Sequence, residues 1–333
     1  VKSTGHGPRA AWAALTAGAL LAVSGCGGGS SESGADSGAR PSGGTRTVHH
    51  TMNGDVSGVP RHPQRVVALW RTGAELADMG VEPVAALEGE FLQEELDERT
   101  FAKVKDVPTV GSFEGVDVEK VIRAKPDLIV GMDNGGLSID YKELSEIAPT
   151  VVFKIAEPPD VWKNYPRLAD AVGRSTGFDK RDAALKKDLA AIERRHGSRI
   201  RNAKAVHVNV TGDATFVSTS KSLVWERLDA AGFGYLPSYT HKPARYAEEL
   251  SDENIPELKD ADLIFYSVDL HGKKTPGMDE LLASASFKRL PAAEAGDVFP
   301  LGSGVNFTFR GGDQQVADLT RAATKYRPAH EES

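Results

Sequence analysis

The sequence predicts an α/β protein of two lobes, each a three-layer sandwich, joined by one long helix with a ligand cleft between them. Three observations predict it. Short apolar runs alternate with helix-periodic stretches along most of the 333 residues. A stiff amphipathic stretch at 179–197 stands near the middle of that alternation. The sequences on its two sides resemble one another in the same order.

The central stretch carries helix signals at both ends. Asp179 reads as an N-cap and Gly197 as the stop just past the last turn. Leu185, Leu189, Ile192 and His196 fall at four- and three-residue steps on one face, with Lys186, Lys187, Asp188, Glu193 and Arg194 on the other. At about 1.5 Å per residue the helix is roughly 25 Å long. The internal likeness is twofold. Glu119-Lys-Val-Ile-Arg-Ala-Lys-Pro-Asp127-Leu-Ile-Val reappears, one residue longer, as Glu253-Asn-Ile-Pro-Glu-Leu-Lys-Asp-Ala-Asp262-Leu-Ile-Phe. Glu75-Leu-Ala-Asp-Met-Gly80 is echoed by Glu226-Arg-Leu-Asp-Ala-Ala-Gly232.

Taken in order, an apolar run at 65–70 after Pro63 reads as the first strand, and 72–79 as a helix stopped by Gly80. A second strand follows at 84–87, then helix plus loop at 91–104 and a helix at 116–124 ended before Pro126. Strands at 127–130 and 151–153 flank a helix at 141–147, which makes a parallel layer. A helix at 161–172, interrupted by Pro166, precedes the central one. The second half gives strands at 205–210, 215–218, 261–265 and 298–301. Helices are expected at 223–231, after Ser251, at 278–282, 287–290 and 312–326. The expected lobes are 48–160 and 201–329, with 161–200 as the connecting helical segment.

The first residues stand apart. Lys2 and Arg9 precede an apolar run at 10–23, too short to span a bilayer and suited to a signal-peptide core. Residues 1–25 are therefore expected to be removed. From 26 to 47 the chain is mostly Gly, Ser and Ala, a tether that cannot bury enough apolar surface to fold. Cys26 is the single cysteine, so no intramolecular disulfide can form. The formal charge is −7, and losing Lys2 and Arg9 makes it more negative. An acidic body without a basic cluster argues against nucleic-acid binding.

Two resemblances join these readings. Leu21-Ala-Val-Ser-Gly-Cys26 resembles the bacterial lipobox, which implies a diacylglyceryl thioether on Cys26 and anchoring on the extracytoplasmic face of the cell membrane. "Pro63-Gln-Arg-Val-Val-Ala-Leu", "Glu119…Lys-Pro-Asp-Leu-Ile-Val", the Trp162 region, "Ser251-Asp-Glu-Asn-Ile" and "Leu290-Pro-Ala…Gly296-Asp-Val" resemble iron-siderophore and cobalamin substrate-binding proteins of ABC importers. The resemblance spans about 61–326. It implies two α/β lobes on one long helix, a ligand held between them, and one exposed carboxylate per lobe that docks on permease arginines. Those carboxylates fall on Glu119 and Glu253.

Ligands of open α/β layers sit beyond the carboxyl ends of the strands. That places Trp70, Arg71, Phe113, Tyr239, Arg245, Tyr246, Asn306, Phe307, Phe309 and Arg310 as candidate ligand contacts, the last four on a Gly-rich loop. A ferric siderophore needs no metal ligand from the protein and no cofactor, because its own oxygens fill the iron's coordination sphere. Aromatic walls and a few arginines suffice. That mixture favours a hydroxamate such as a ferrioxamine, with cobalamin or haem as the alternative ligands. The protein is expected to be a monomer that meets a permease. Direct metal binding fits poorly, since His49, His50, His62, His207, His241 and His271 show no ligand spacing. An exported hydrolase fits worse: Gly302-Ser303-Gly304 is not a nucleophile elbow, and phosphate-loop and dinucleotide fingerprints are absent.

Overall fold

The computed structural model describes residues 43–328. Cys26, the expected signal segment and most of the expected tether lie outside those residues. The described chain opens with an antiparallel hairpin of β1 (Thr45–Thr51) and β2 (Gly54–Pro60), so the strand begins inside the segment expected to be tether. Alternation there is weak, because most of its side chains are exposed; Val48, Val59 and Pro60 are the ones buried.

The N-terminal lobe follows. β3 (Val66–Ala68), α1 (Gly73–Asp78), β4 (Ala85–Ala86), α2 (Glu98–Val104) and the two-residue strands β5 (Gly111–Ser112) and β6 (Gly115–Val116) come first. α3 (Val118–Ala124), β7 (Leu128–Asp133), α4 (Tyr141–Ser145) and β8 (Thr150–Lys154) complete it. The sheet is parallel, in the order β4-β3-β7-β8. Val66 and Ala68 enter one core cluster with Leu76, Tyr165 and Leu168, while Val67 and Leu69 enter another with Val121 and Leu144. Both faces of the sheet are thus covered by helices, as a parallel sheet requires.

α5 (Asp160–Ala171) leads to α6 (Ser175–Ile200), the connector. Between them Gly173 has φ +68°, and a Cβ there would sit 2.4 Å from the Arg61 carbonyl oxygen. The connector starts four residues before Asp179 and runs three past Gly197. Phe178 fixes its first turn by packing with Trp162, Tyr165 and Phe309 at centroid distances of 5.1–6.5 Å. Ile200 is fully buried at its other end, and that burial outweighs the roughly 1 kcal/mol that a helical glycine costs.

The C-terminal lobe comprises β9 (Ala205–Thr211), β10 (Ala214–Ser218), α7 (Leu223–Ala230), β11 (Ala247–Leu250) and β12 (Leu263–Val268). α8 (Met278–Ala283), α9 (Ala285–Lys288), α10 (Pro291–Glu294), β13 (Val298–Gly302) and α11 (Phe309–Lys325) follow. Its sheet runs β11-β10-β9-β12-β13, parallel across β9, β12 and β13 and antiparallel about β10. Val206, Val208 and Ile264 face a cluster with Ile255, Met278 and Phe287, whereas Leu263, Phe265 and Leu301 face α6, α7 and α11. The ladder β9-β12-β13 repeats β3-β7-β8. Glu119 and Glu253 sit at matching places, in the first turn of the helical segment before the strand central to each ladder.

Leu185, Leu189 and Ile192 of α6 belong to one core cluster that also contains residues of both sheets. The connector is therefore part of the core of both lobes rather than a bare rod.

Candidate ligand cleft

The loop after β3 is where the site begins. Glu90 reaches over it and accepts from three successive backbone N–H groups: Arg71 at 2.9 Å, Thr72 at 2.9 Å and Gly73 at 2.7 Å. This supplies the N-terminal cap of α1, because the Thr72 hydroxyl instead donates to the Leu69 carbonyl. The approach demands glycine at 73, where a Cβ would lie 2.6 Å from Glu90 Cβ. The same clamp holds Arg71 in the left-handed region at φ +59°. Trp70 and Phe113 meet edge to face at 5.4 Å, and the Arg71 guanidinium lies 5.7 Å from the Trp70 ring.

Two cavities meet at Arg71. One, of about 330 Å³, lies between the lobes and is lined by Arg71, Pro158 and Pro159 from the N-terminal lobe. The C-terminal lobe adds His207, Asn209, Phe216, Ser218, Val224, Tyr246, Ser267 and the Ser303–Val305 loop. Asn209 and Ser267 lie in the carboxyl-terminal halves of β9 and β12, and Arg71, Pro158 and the Ser303–Val305 loop lie beyond the ends of β3, β8 and β13, where a parallel layer leaves its crevice; Phe216 and Ser218 come from β10 and Val224 from α7. The second cavity, of about 260 Å³, lies within the N-terminal lobe beside Trp70, Phe113, Leu92 and four glutamates, Glu75, Glu88, Glu90 and Glu95.

The floor of the interlobe cavity is polar. His207 Nδ1 lies 2.8 Å from Ser218 Oγ and Nε2 lies 3.0 Å from Ser267 Oγ. Burial lowers the imidazole to about 3, so it is neutral at physiological pH. With one nitrogen protonated, one serine accepts and the other donates. A base this weak, flanked by hydroxyls, is badly matched to general base work. In the second cavity burial and the neighbouring Glu90 push Glu75 up to about 8. Burial raises Glu90 to about 7 against the three amide donors that pull it down.

Of the ten residues anticipated at the ligand, Trp70, Arg71 and Phe113 come together in the smaller cavity, and Arg71 and Tyr246 in the larger. Arg245 is exposed beside Tyr246, lines neither, and contributes its carbonyl to the Thr219 hydroxyl. Tyr239 is buried in the C-terminal core. Phe307 and Phe309 are 2% and 1% exposed and so cannot form a ligand platform. The glycines beside them serve helix packing: a Cβ at Gly312 would lie 2.9 Å from Leu185 of α6. Thr308 caps α11, which therefore starts at Phe309 rather than 312. Asn306 is buried too, its Oδ1 accepting from Thr308 and its Nδ2 donating to the Glu95 carbonyl across the lobes. Arg310 is exposed in a separate hollow with Asp97, Arg99 and Asp313, out of reach of Trp70's cavity.

Sequence reasoning missed Glu75, Glu90, Glu95, His207, Ser218 and Ser267. For His207 the signal was present: Val206, Val208 and Val210 alternate with His207, Asn209 and Thr211, which share the other face of β9.

A core-sharing helix between two α/β lobes, with a crevice at the strand ends, defines a bilobed solute-binding protein. The chain belongs to the periplasmic binding protein family, whose profile matches residues 76–304. It is 28% identical over 277 residues to the probable siderophore-binding lipoprotein YfiY of Bacillus subtilis, covering 76% of this chain and 79% of that one. It is also 28% identical over 308 residues to the iron(3+)-hydroxamate-binding protein YxeB of the same organism, covering 84% and 85%. The fold matches the siderophore periplasmic binding protein from the fuscachelin gene cluster of Thermobifida fusca with a TM-score of 0.71. That match has 24% identity and covers 81% of this chain and 99% of the other.

Proposed function

We propose that this protein captures a ferric hydroxamate outside the cytoplasm and hands it to an ABC-type permease. Charge carries the reading. Among the described residues lining the interlobe cavity, Arg71 is the one cation, His207 is neutral, and no carboxylate is present. Three hydroxamates neutralise one ferric ion, whereas three catecholates leave a trianion that a single arginine matches poorly. Arg71 and the floor hydroxyls can hydrogen-bond iron-bound oxygens, while Phe216, Val224 and the prolines cover the carrier's apolar arms. The iron stays with the siderophore's oxygens, so the protein supplies neither metal ligands nor a cofactor. Among the described residues no group of three His, Cys, Asp or Glu side chains could hold a metal. The name of YxeB supports a ferric hydroxamate, and that of YfiY supports a siderophore more broadly.

Delivery rests on Cys26 and on Glu119 and Glu253. The lipobox-like run before Cys26 supports a lipid anchor on the extracytoplasmic face, in keeping with the lipoprotein name of YfiY. The two glutamates are exposed and hold equivalent places in the two lobes, one carboxylate per lobe for an arginine socket on a permease. The protein acts as a monomer in this reading and performs no catalysis.

The test is a titration of intrinsic tryptophan fluorescence with ferric hydroxamates, ferric catecholates, ferric citrate, haem and cobalamin. Saturable quenching by hydroxamates at the lowest concentrations is expected, since Trp70 lies beside Arg71. Tighter binding of a ferric catecholate, haem or cobalamin would overturn the assignment.

A further inference from the structure

The smaller cavity has a chemistry that the larger one lacks. It is walled by the Trp70 and Phe113 rings and by Leu87 and Leu92, and its polar groups are almost all acidic. Glu90 is committed to three backbone amides. Glu75 is not. It is 4% exposed, lines the cavity, and its carboxylate has no partner but its own backbone N–H. Glu95 faces the same space, its carboxylate within the field of Arg71 but accepting no hydrogen bond, while its carbonyl holds Asn306. A buried carboxyl whose one donor is its own backbone amide keeps acceptor capacity that a ligand's donor can use.

We infer that this cavity is a subsite for an ammonium group on the bound ferric complex, with Glu75 and Glu95 as its acceptors and Trp70 and Phe113 as its walls. The inference rests on the ferric-hydroxamate reading and narrows the substrate to complexes that carry a primary amine on an aliphatic arm. Geometry supports one molecule filling both cavities, because Arg71 lines each of them. The uncharged iron centre occupies the interlobe cavity, and the arm passes Arg71 into the acidic one. A bare metal ion is a poorer occupant: no three acidic, His or Cys side chains among the described residues are grouped to hold it. An alkylammonium instead suits aromatic faces beside a few carboxylates.

Protonation adds a signature. Free Glu75, pushed up by burial to about 8, is mostly protonated at pH 7. An incoming ammonium favours the ionised form, so binding releases a proton, and affinity rises with pH until about 8 and then levels. The charged groups facing Glu75 are Glu88, Glu90 and Glu95 with Arg71, and the Tyr165 hydroxyl donates to its carbonyl from behind. Glu90, raised to about 7, moves in the same direction.

The experiment uses the ferric complex of a linear trihydroxamate with one terminal primary amine, and the same complex N-acetylated. Calorimetry at pH 7 in buffers of different ionisation enthalpy reads affinity and proton release together. The expected result is about a tenfold preference for the amine form, the scale of one charge-assisted hydrogen bond, with proton release seen for that form alone. Glu75→Gln and Glu95→Gln should each bring the ratio of the two affinities towards one. Equal affinities in the unsubstituted protein, or a preference for the acetylated complex, overturn the subsite and leave the hydroxamate reading intact. If neither complex binds, that reading fails and takes the subsite with it.

Discussion

Asp78 is the place where both lobes and the connector meet, and its removal tests how the cleft is held. Its Oδ2 accepts from the Tyr165 hydroxyl at 2.9 Å and from the backbone N–H of Phe309, at the start of α11, at 2.8 Å. Its Oδ1 accepts from Arg181 of α6 at 3.2 Å. Asp78→Ala leaves three donors to find new partners. Tyr165 retains the Glu75 carbonyl at 3.0 Å and loses little. The Phe309 amide is left buried and unsatisfied, which costs about 1–3 kcal/mol. Arg181 is 38% exposed and also faces Asp313 at 3.5 Å, so its share shrinks to about 0.5–1 kcal/mol after solvent screening. Together these give a loss of about 1.5–4 kcal/mol. Urea unfolding followed by far-UV circular dichroism measures it as a drop in midpoint at unchanged slope. A loss below about 0.5 kcal/mol would refute the claim that Asp78 ties the lobes together.

Three further outcomes are expected. Burial of Glu75 and Glu90 raises them from 4.5 to about 8 and about 7, so the folded state binds more protons and stability falls as pH rises from about 4.5 to 8. His207, lowered from 6.5 to about 3, works the other way: the unfolded chain takes up its proton first, and stability falls as pH drops below 6.5 towards 3. With two groups against one above 4.5, the maximum for these groups lies near pH 4.5, and thermal melts across pH 3–9 should show Glu75→Gln flattening the alkaline limb. Replacing Glu119 and Glu253 by Ala should spare ligand binding in solution and abolish uptake in cells; if binding is lost in solution, both belong to the fold or the cleft. Cys26→Ser should move the protein from the membrane to the soluble fraction, and continued membrane retention would rule out the lipid anchor.

The alternation of strands and helices was legible because each parallel strand is buried on both faces and reads as an apolar run. Val66–Ala68 and Leu128–Asp133 are buried throughout. The hairpin of β1 and β2 and strand β11 were illegible for the converse reason. They expose most of their side chains, and Met52 N–H and Asn53 Nδ2–H tie the hairpin tip to β8 through the Val152 and Thr150 carbonyls, which carry no sequence signature. Gly197 misled at the end of the connector because a glycine followed by polar residues looks like a stop. What keeps the helix going is Ile200, buried by contacts that only the assembled lobes provide.

The site was harder, and the errors share one cause. Aromatics beside glycines looked like a loop platform, yet Gly311 and Gly312 lack side chains so that Asn306 and Leu185 can press against α11, which puts Phe307 and Phe309 inside. Trp70, Arg71 and Phe113 come together at one cavity, and they immediately follow short apolar segments, where the strand-end rule applies directly. Glu75 escaped because it sits in a helix one position from Leu76, and its helical phase alone makes it an ordinary surface acid. It is buried only because Glu90 folds back from the loop after β4 to cap α1 and brings a second carboxylate over it. A residue whose chemistry depends on a capping side chain fifteen positions away leaves no local pattern. In this protein the polar groups on which the proposed ligand sites rest are therefore those whose burial contradicts their residue type, and such contradictions become visible only when the fold is assembled.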